Sequence, residues 1–397
     1  MRDAYIVAYG RSAAGIGKQG KGAMIHERPD EVAAKVLKGV LDKVGGTFEP
    51  SMVEDVIVGN AFPEGLQGQN IARTIALLAG LPNEVPGQTV NRYCSSGLQT
   101  IAHAANQINA NEADIIVAGG VELMSAVPMG GNEPTNNPLL QDNDIGVSYP
   151  MGLTAEMVAE TYHVSREDQD QYAVQSHKRA YDAQQVGKFK EEIIPIDINQ
   201  ITYDEEGPVV NKVPFMEDET LRPNTNTDDL AKLPTVFKAD GTVTAGSSAP
   251  LTDGAGFVVV MSGEKVNELG VTPIARFVGY KAVGVEPKLM GIGPAYAIPE
   301  VLESTELELE DIDLIELNEA FAAQTIAAIR ETGLDMDKTN VNGGAIALGH
   351  PLGATGAMLV GKLLSEMKRR PESKYGMVTM CIGGGMGAAG IFEYVRN

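Results

Sequence analysis

The sequence predicts an α/β fold in which one unit of strands and helices occurs twice. Short apolar stretches alternate along the chain with amphipathic helical patterns, an order typical of a mostly parallel sheet with helices on its faces. Four elements of the first part have counterparts, in the same order, near the end of the chain. A polar segment rich in Asp, Asn, Thr and Pro interrupts only the first copy and predicts an inserted domain.

Length and composition limit the kinds of protein that this chain can be. With 397 residues it can bury a large core and form two or three domains. Its net charge of −22 argues against nucleic acids and anionic membrane surfaces as partners, because both attract basic patches. Two cysteines do not make a disulfide scaffold, so we expect a reducing, cytoplasmic location. We see no signal-peptide pattern, and the apolar runs are too short to insert in a membrane.

The elements of the first copy follow one another closely. Residues 4–8 are predicted to be a strand, and a Gly-rich basic loop without a phosphate-binding fingerprint follows it. A proline opens an amphipathic helix over residues 29–44, since apolar side chains recur there at helical spacing. Residues 53–58 are predicted to form a buried strand and residues 69–78 a helix.

Cys94 lies where a predicted strand turns into a predicted helix. An apolar–polar alternation ends at Val90, and an apolar stripe of helical spacing begins at Leu98. The unpaired N–H groups and the dipole of a helix N-terminus favour an anion, so we expect the pKa of this thiol to be lowered. A lone cysteine is more often a small buried apolar residue, and position alone does not decide between the two interpretations.

The segment 121–244 is predicted to be the inserted domain, partly helical and rich in loops. Its longest helix spans about residues 165–186, and a capping box of Ser165 and Asp168 opens it. After the segment, residues 254–260 return to a strand of the core.

The internal repeat puts two special turns at equivalent positions. The paired stretches are 55–62 with 313–321, 94–97 with 350–353, 115–119 with 377–383, and 255–260 with 389–395. The domain boundaries that follow are 1–120 with 245–272 for the N-terminal half, 121–244 for the insertion, and 273–397 for the C-terminal half. A pseudo-twofold axis between the halves would bring Cys94 and His350 together at strand carboxyl ends, where active residues of such sheets lie.

Cys94, Asn318, His350 and Cys381 all lie at predicted strand-to-turn positions. Each alone has a simple structural explanation, such as a core cysteine or a buried, hydrogen-bonded histidine. Two cysteines and one histidine without the C-x-x-C spacing of zinc ligands do not favour a metal site. Glycine runs precede His350 and follow Cys381, and glycine lets backbone N–H groups turn towards a ligand.

Together these four residues fit acyl transfer combined with carbanion chemistry. A nucleophilic thiol needs a base, which His350 supplies. A second thiol suits proton transfer at carbon, and backbone N–H groups with His350 and Asn318 can stabilise the oxyanions that form.

Four stretches carry a resemblance to a known family. They are Asn91-Arg92-Tyr93-Cys94-Ser95-Ser96-Gly97-Leu98-Gln99, Asn318-Glu319-Ala320-Phe321, Asn342-Gly343-Gly344 through Gly349-His350-Pro351-Leu352-Gly353, and Cys381-Ile382-Gly383-Gly384-Gly385. With them, the chain resembles the thiolases along nearly its whole length. The resemblance implies a thiolase-like fold of two similar βαβαβαββ core halves related by a pseudo-twofold axis, with an inserted loop domain. It also implies a homodimer or homotetramer, coenzyme A thioesters as substrates, and no tightly bound cofactor.

The same resemblance implies a role for each of the four residues. Cys94 attacks the keto carbon of a 3-ketoacyl-CoA after activation by His350, and Cys381 protonates the acetyl-CoA enolate that leaves. CoA then takes the acyl group from Cys94, and the reverse reaction is a Claisen condensation. His350 and a water held by Asn318 would form one oxyanion hole, and the N–H groups of Cys94 and Gly383 would form the other.

The resemblance extends to residues that bind the substrate. Arg222 matches a basic residue near the adenine of CoA, and a solvated arginine is the alternative interpretation. Met151, Met290 and Phe321 match residues near the acyl group, with core packing as the alternative.

The chain departs from the family pattern at two places. Where the family has a serine that contacts CoA, this chain has Ala249, so either Ser248 replaces that serine or the contact is lost. The N-terminal signature has Ser12-Ala13-Ala14 where Thr-Pro is common.

Within the family, the run Tyr149-Pro150-Met151-Gly152 favours a degradative 3-ketoacyl-CoA thiolase of fatty-acid metabolism, because short-chain acetoacetyl-CoA enzymes usually have His before that Met. The close alternative is an acetyl-CoA C-acetyltransferase that forms acetoacetyl-CoA. A decarboxylating ketosynthase-type relative would typically lack Cys381. A catalytically silent acyl-CoA-binding protein would be expected to lose one or more of the four chemical residues, and all four are present.

Overall fold

The central element of the described chain is a ten-stranded mixed sheet. The computed structural model describes residues 2–143, 145–204 and 206–396. The strands are β1 (Ala4–Arg11), β2 (Gly15–Ile16), β3 (Asp55–Gly59), β4 (Gly87–Val90), β5 (Ile115–Leu123), β6 (Ile196–Asp204), β7 (Gly207–Phe215), β8 (Thr252–Ser262), β9 (Ala275–Gly284), β10 (Ile312–Leu317), β11 (Tyr375–Ile382) and β12 (Met386–Tyr394). The α-helices are α1 (Pro29–Leu41), α2 (Ile71–Leu78), α3 (Ser96–Asn109), α4 (Pro138–Asp142), α5 (Met151–Thr161), α6 (Arg166–Gln185), α7 (Thr227–Leu230), α8 (Gly263–Leu269), α9 (Gly293–Thr305), α10 (Ala322–Thr332), α11 (Ala345–Leu348) and α12 (Leu352–Arg369).

The order of strands across this sheet joins two similar halves. It runs β10, β11, β12, β9, β1, β8, β5, β3, β4, and β2 lies beside β8. β3 pairs in parallel with β4 and β5, and β10 with β11, whereas β8 and β12 run antiparallel to their neighbours. The sheet is therefore mixed rather than mostly parallel, because β12 follows β11 through a tight turn and β8 returns from the inserted segment. A short antiparallel contact between β1 and β9 joins the halves.

The two halves repeat one arrangement, as the sequence predicts. In the first half, α3 precedes β5, and in the second, α12 precedes β11 in the equivalent place. In the first half, β4 pairs in parallel with β3. At the equivalent place in the second half, Thr339 makes a single parallel bridge with Ile315 of β10. Helix α1 packs on β1 and β8, and α9 packs on β9 and β12. The predicted α/β class with two similar halves is confirmed.

Helices α3 and α12 pack against each other between the two halves. Their apolar side chains form one buried core with side chains of β5, β8, β11 and β12, and the stretch 352–367 of α12 is buried throughout. The helices come close because Gly97 has no side chain: a Cβ there would lie 2.9 Å from the backbone nitrogen of Ala357. The turns that precede the two helices therefore lie close together.

The inserted segment is helical near the core and forms a hairpin at its surface. Helices α5 and α6 pack on α10, and the capping box of Ser165 and Asp168 opens α6 as predicted. Strands β6 and β7 pair in a separate sheet that the polar composition of this stretch did not indicate. The division into residues 1–120 with 245–272, 121–244 and 273–397 stays our proposal.

Several element ends differ from the predicted ones, those of the first strand and the first helix among them. The first strand continues to Arg11 because it pairs with β8 as far as Gly256, a long-range contact that the local pattern does not contain. The first helix ends at Leu41, a few residues before the predicted end. Within the described ranges, no helix has the combination of length and apolar character that crossing a membrane requires.

Candidate active site

The Cys94 turn joins β4 to α3. Its residues Tyr93–Ser95 form one 3₁₀ turn, and Tyr93 has a φ of 44°, a left-handed conformation that costs a non-glycine residue about 1 kcal/mol or more. Several hydrogen bonds hold this turn. The Tyr93 N–H donates to the Asn91 Oδ1 (2.8 Å), and the Ser96 hydroxyl donates to the Tyr93 carbonyl (2.7 Å). The Cys94 side chain is buried below the turn.

Burial decides the protonation of Cys94. It raises the pKa of the thiol to about 11, although the nearby N–H groups of Gly383 and of Cys94 itself lower the pKa in part. The expectation of a lowered pKa was wrong, because the loss of hydration opposes the thiolate more than the helix N-terminus favours it. The thiol is therefore protonated at pH 7 and needs a base.

The hydrogen bonds of His350 determine which of its ring nitrogens carries the proton. Its Nδ1 lies 2.6 Å from the Thr355 hydroxyl, which donates its own proton to the Pro351 carbonyl (2.9 Å). Nδ1 must then carry the imidazole proton, and Nε2 is left as an acceptor. Burial lowers the pKa of His350 to about 4, so the ring is neutral at pH 7.

Asn318 lies against His350. It follows β10, its N–H donates to the Thr379 carbonyl (2.9 Å), and its Nδ2 lies 3.3 Å from His350 Nε2. Among the described residues, no group donates a hydrogen bond to the buried Asn318 Oδ1. An unpaired amide oxygen and a neutral imidazole thus lie side by side, and such groups can hold a water molecule next to an oxyanion.

Cys381 is the second buried thiol and lies near the end of β11. Its thiol donates to the Gln324 Oε1 (3.0 Å). Burial raises the pKa of Cys381 well above its usual range, and a negative charge on Cys94 raises it further. Because a charge on Cys94 acts on Cys381, and the N–H of Gly383, two residues after Cys381, lowers the pKa of Cys94, both thiols belong to one site.

We expect iodoacetamide to label Cys94 faster throughout a pH series from about 7 to about 10, without a plateau. Because burial raises the pKa of this thiol to about 11, the thiolate fraction grows about tenfold for each pH unit below that value. Mass spectrometry of the Cys94 peptide measures the rate at each pH. A plateau that begins near pH 7 would contradict this, since it would reveal a thiolate–imidazolium pair in the free protein.

Glu122 connects the loop after β3, in the first half, to the start of α12, in the second half. Its buried carboxylate lies at the end of β5 and accepts from the N–H groups of Ala61 (2.7 Å) and Gly353 (2.9 Å) and from the Gln67 amide (2.8 Å). Gly353 belongs to the first turn of α12, directly after the His350 turn. One side chain thereby ties the loop after β3 to the start of α12.

Replacing Glu122 with Ala is expected to lower the free energy of unfolding by about 3 kcal/mol or more, because several buried donors lose their acceptor. Thermal and urea unfolding measure the change. Glu112→Ala is the control, since Glu112 is exposed. Equal stability of the two variants would contradict the connecting role.

The predicted acyl-binding residues gather around Cys381. Met290 and Ala320 form a small apolar cluster with it, and Met151 and Phe321 pack against this cluster. The Met151 sulfur also lies near Gly383, 3.5 Å from where a Cβ on that glycine would be. The three predicted residues are therefore not scattered through the general core; they surround the second thiol.

The positions of the two predicted CoA-binding residues, Ser248 and Arg222, give less direct support for a role in binding. Ser248 pairs with Phe321 in an isolated bridge, but its hydroxyl donates to the Thr244 carbonyl (2.6 Å). Arg222 is exposed on the inserted segment beside a surface groove of about 470 Å³. Thr220, two residues before it, donates to the Ala347 carbonyl (2.8 Å). This hydrogen bond fixes this part of the segment against α11, which ends two residues before His350.

The sequence did not point to three side chains that support the site: Thr355, Gln324 and Glu122. None of the three belongs to a recognisable sequence motif. Gln324 and Glu122 are also far in sequence from the residues that they contact, whereas Thr355 is close to His350. A carboxylate that ends the buried strand β5 was the one available signal. In the part of the chain that the structure describes, no group of three or more His, Cys, Asp or Glu side chains is placed to hold a metal ion.

Comparison with known proteins gives the family. The family model "Thiolase, N-terminal domain" matches residues 4–264, and "Thiolase, C-terminal domain" matches residues 271–394. The chain is 50% identical over 394 residues to a 3-ketoacyl-CoA thiolase of Bacillus subtilis (strain 168), covering 99% of this chain and 100% of that protein.

Two solved structures have the same fold. The crystal structure of the Bacillus anthracis acetyl-CoA acetyltransferase superimposes with a TM-score of 0.89 at 40% identity, over 100% of this chain and 99% of that one. Human mitochondrial 3-ketoacyl-CoA thiolase in complex with CoA superimposes with a TM-score of 0.88 at 38% identity, over 99% and 98% of the chains. With both family models matched across nearly its full length, the chain belongs to the thiolase family.

Proposed function

We propose that this protein is an acyltransferase that cleaves 3-ketoacyl-CoA with CoA, giving acetyl-CoA and a shortened acyl-CoA. The observation that carries the proposal is that two thiols and a neutral imidazole belong to neighbouring turns: Cys94 shares an apolar cluster with Leu352, two residues after His350, and a charge on Cys94 raises the pKa of Cys381. Thiolysis of a carbon–carbon bond uses every one of these groups, whereas simple acyl transfer would leave the second thiol without a task.

In the first step, Cys94 would transfer its thiol proton to His350 Nε2 as its sulfur bonds to the keto carbon. The negative charge then moves to the keto oxygen, and an oxyanion hole would stabilise it. The paired His350 and Asn318 side chains, 3.3 Å apart, support one hole. The N–H groups of Cys94 and Gly383 support the other, because both lie close enough to the Cys94 sulfur to lower its pKa.

In the second step, the bond between the keto carbon and its neighbour would break. Its electron pair stays on the departing acetyl-CoA as an enolate, and the Cys381 thiol protonates that carbon. The sulfur of CoA then attacks the acyl group on Cys94. The CoA proton restores the Cys381 thiol, and His350 returns its proton to Cys94, so the enzyme ends as it began.

The binding part of the proposal rests on the cluster around Cys381 and on the inserted segment. Three side chains would line the pocket for the acyl chain, since they pack around the Cys381 thiol: Met151, Met290 and Phe321. Arg222 would provide a local positive charge for CoA on a protein with a net charge of −22. Ser248 would need to release its hydrogen bond to the Thr244 carbonyl before its hydroxyl could contact CoA. We also propose a homo-oligomer, a cytoplasmic location and no tightly bound cofactor.

CoA-dependent cleavage of acetoacetyl-CoA and of a longer 3-ketoacyl-CoA, assayed side by side, tests this function. We expect cleavage of both with a preference for the longer chain. Activity confined to acetoacetyl-CoA would favour the second candidate, an acetyl-CoA C-acetyltransferase, which the likeness to the Bacillus anthracis acetyltransferase supports. A folded protein that cleaves neither would overturn both and favour a silent acyl-CoA-binding protein.

A further inference from the structure

Gln324 is a buried polar side chain that touches the second thiol of the site. It lies in the first turn of α10, is fully buried, and its Oε1 accepts the Cys381 thiol proton at 3.0 Å. A thiol is a weak donor, so a glutamine oxygen committed to it in the interior has a specific placement. The polar groups around the amide explain that placement.

The orientation of the Gln324 amide is determined by its other contacts. The Nε2 donates to the Thr325 hydroxyl oxygen (2.8 Å) and lies 3.4 Å from the Asn318 carbonyl oxygen. The Thr325 hydroxyl donates its own proton to the Phe321 carbonyl (2.9 Å), so it can only accept from the amide. Both acceptors therefore face the NH₂ group, and the amide oxygen must face Cys381.

Packing removes the room for another arrangement. Gln324, Thr325 and Cys381 are all fully buried. A Cβ at Gly291 would lie 2.6 Å from the Gln324 Cβ, so the backbone of the 3₁₀ segment Pro287–Ile292, just before α9, packs closely against this side chain. Because water cannot replace either partner, the thiol and the amide oxygen depend on each other.

We propose that Gln324 is a positioning residue that holds the Cys381 thiol in its protonated form and aligns it for proton transfer at carbon. This inference rests on the thiolase reaction proposed above. When the enolate forms, the thiol proton passes from the Cys381 sulfur to the enolate carbon, whose electron pair forms the new C–H bond. The thiolate that remains faces the lone pairs of the Gln324 oxygen, which disfavour it and promote its reprotonation by the CoA thiol.

The variant Gln324→Met tests the proposal, because methionine has a similar length without the amide oxygen. Two reactions separate the two thiols: exchange of the acetyl-CoA methyl protons with D₂O needs Cys381, and alkylation of Cys94 by iodoacetamide needs only Cys94. We expect proton exchange to fall about tenfold or more, and the rate of Cys94 alkylation to fall much less. The matched control is Thr332→Val on the same helix, whose hydroxyl donates to the Ala328 carbonyl. An equal loss in both reactions, or none, would overturn the positioning role.

A second measurement separates this inference from the proposed function. In the Cys94→Ala background, the pH midpoint for alkylation of Cys381 is expected to fall when Gln324 becomes Met, because the thiol loses the acceptor that favours its protonated form. An unchanged midpoint would contradict the inference even if the protein is a thiolase. A wild-type protein without CoA-dependent thiolysis would contradict the function, and the midpoint would still test Gln324. If Gln324→Met does not fold, Thr325→Val removes one anchor of the amide and is expected to shift both readouts in the same direction; if it shifts neither, the positioning role is excluded.

Discussion

Cys94→Ala is expected to abolish formation of the acyl-enzyme and to lower thiolysis by about 10⁴-fold or more. The substitution removes the one group that bonds to the substrate, and the remaining oxyanion donors cannot provide a covalent intermediate. The change in volume is small and the residue is buried at the start of α3, so we expect the fold to survive. Intact-protein mass spectrometry after brief mixing with acetoacetyl-CoA measures the acyl adduct, and a coupled assay measures turnover.

The matched control for Cys94→Ala is the substitution of the other thiol. Cys381→Ser should still form some adduct on Cys94, because the attacking sulfur, His350 and the oxyanion donors are unchanged and only the protonation of the departing enolate is impaired. An adduct of the same mass on the Cys94→Ala protein would show that another residue is the nucleophile.

Cys381→Ser is expected to lower turnover by about 10²- to 10⁴-fold, the usual contribution of a general acid–base group. A serine hydroxyl has the shape of the thiol but is a much poorer proton donor and base. Burial already raises the pKa of Cys381 well above its usual range, so its reactivity depends on transfer to a strongly basic carbanion. The expected signature is an acyl-enzyme that accumulates while exchange of acetyl-CoA methyl protons with D₂O is lost.

The result that contradicts this role of Cys381 is a variant with full turnover. Ser365→Ala serves as a comparison for the loss of a buried hydroxyl contact elsewhere, because Ser365 donates to the Tyr9 hydroxyl (2.9 Å) in the central core. A similar loss of activity in both variants would indicate a general packing effect instead of proton transfer.

Much of the fold followed from local patterns. The repeat, the inserted segment and the capping box of α6 were predicted because strand alternation, helical spacing and cap residues leave marks within a few positions of one another. The antiparallel middle of the sheet and the β6–β7 hairpin were not, because strand direction and pairing partner depend on how distant segments meet.

The sequence by itself determined which groups the site contains. The four residues of the site lie beside turns and glycine runs: Cys94, His350, Asn318 and Cys381. Such turns require particular residue types, so they can be recognised in the sequence. Only the tertiary structure decided their protonation and their partners. Burial raises the pKa of the Cys94 thiol to about 11 and lowers that of His350 to about 4, the opposite of what the helix N-terminus suggested for Cys94.

The physical reason is that desolvation and hydrogen-bond direction belong to the assembled core. Gln324 contacts Cys381 within the second half over a separation of 57 residues, and Glu122 contacts Gly353 across the two halves over a separation of 231 residues. A local pattern therefore records that a nucleophile stands at a turn, whereas the charge that it carries is set by side chains that the fold brings from elsewhere in the chain.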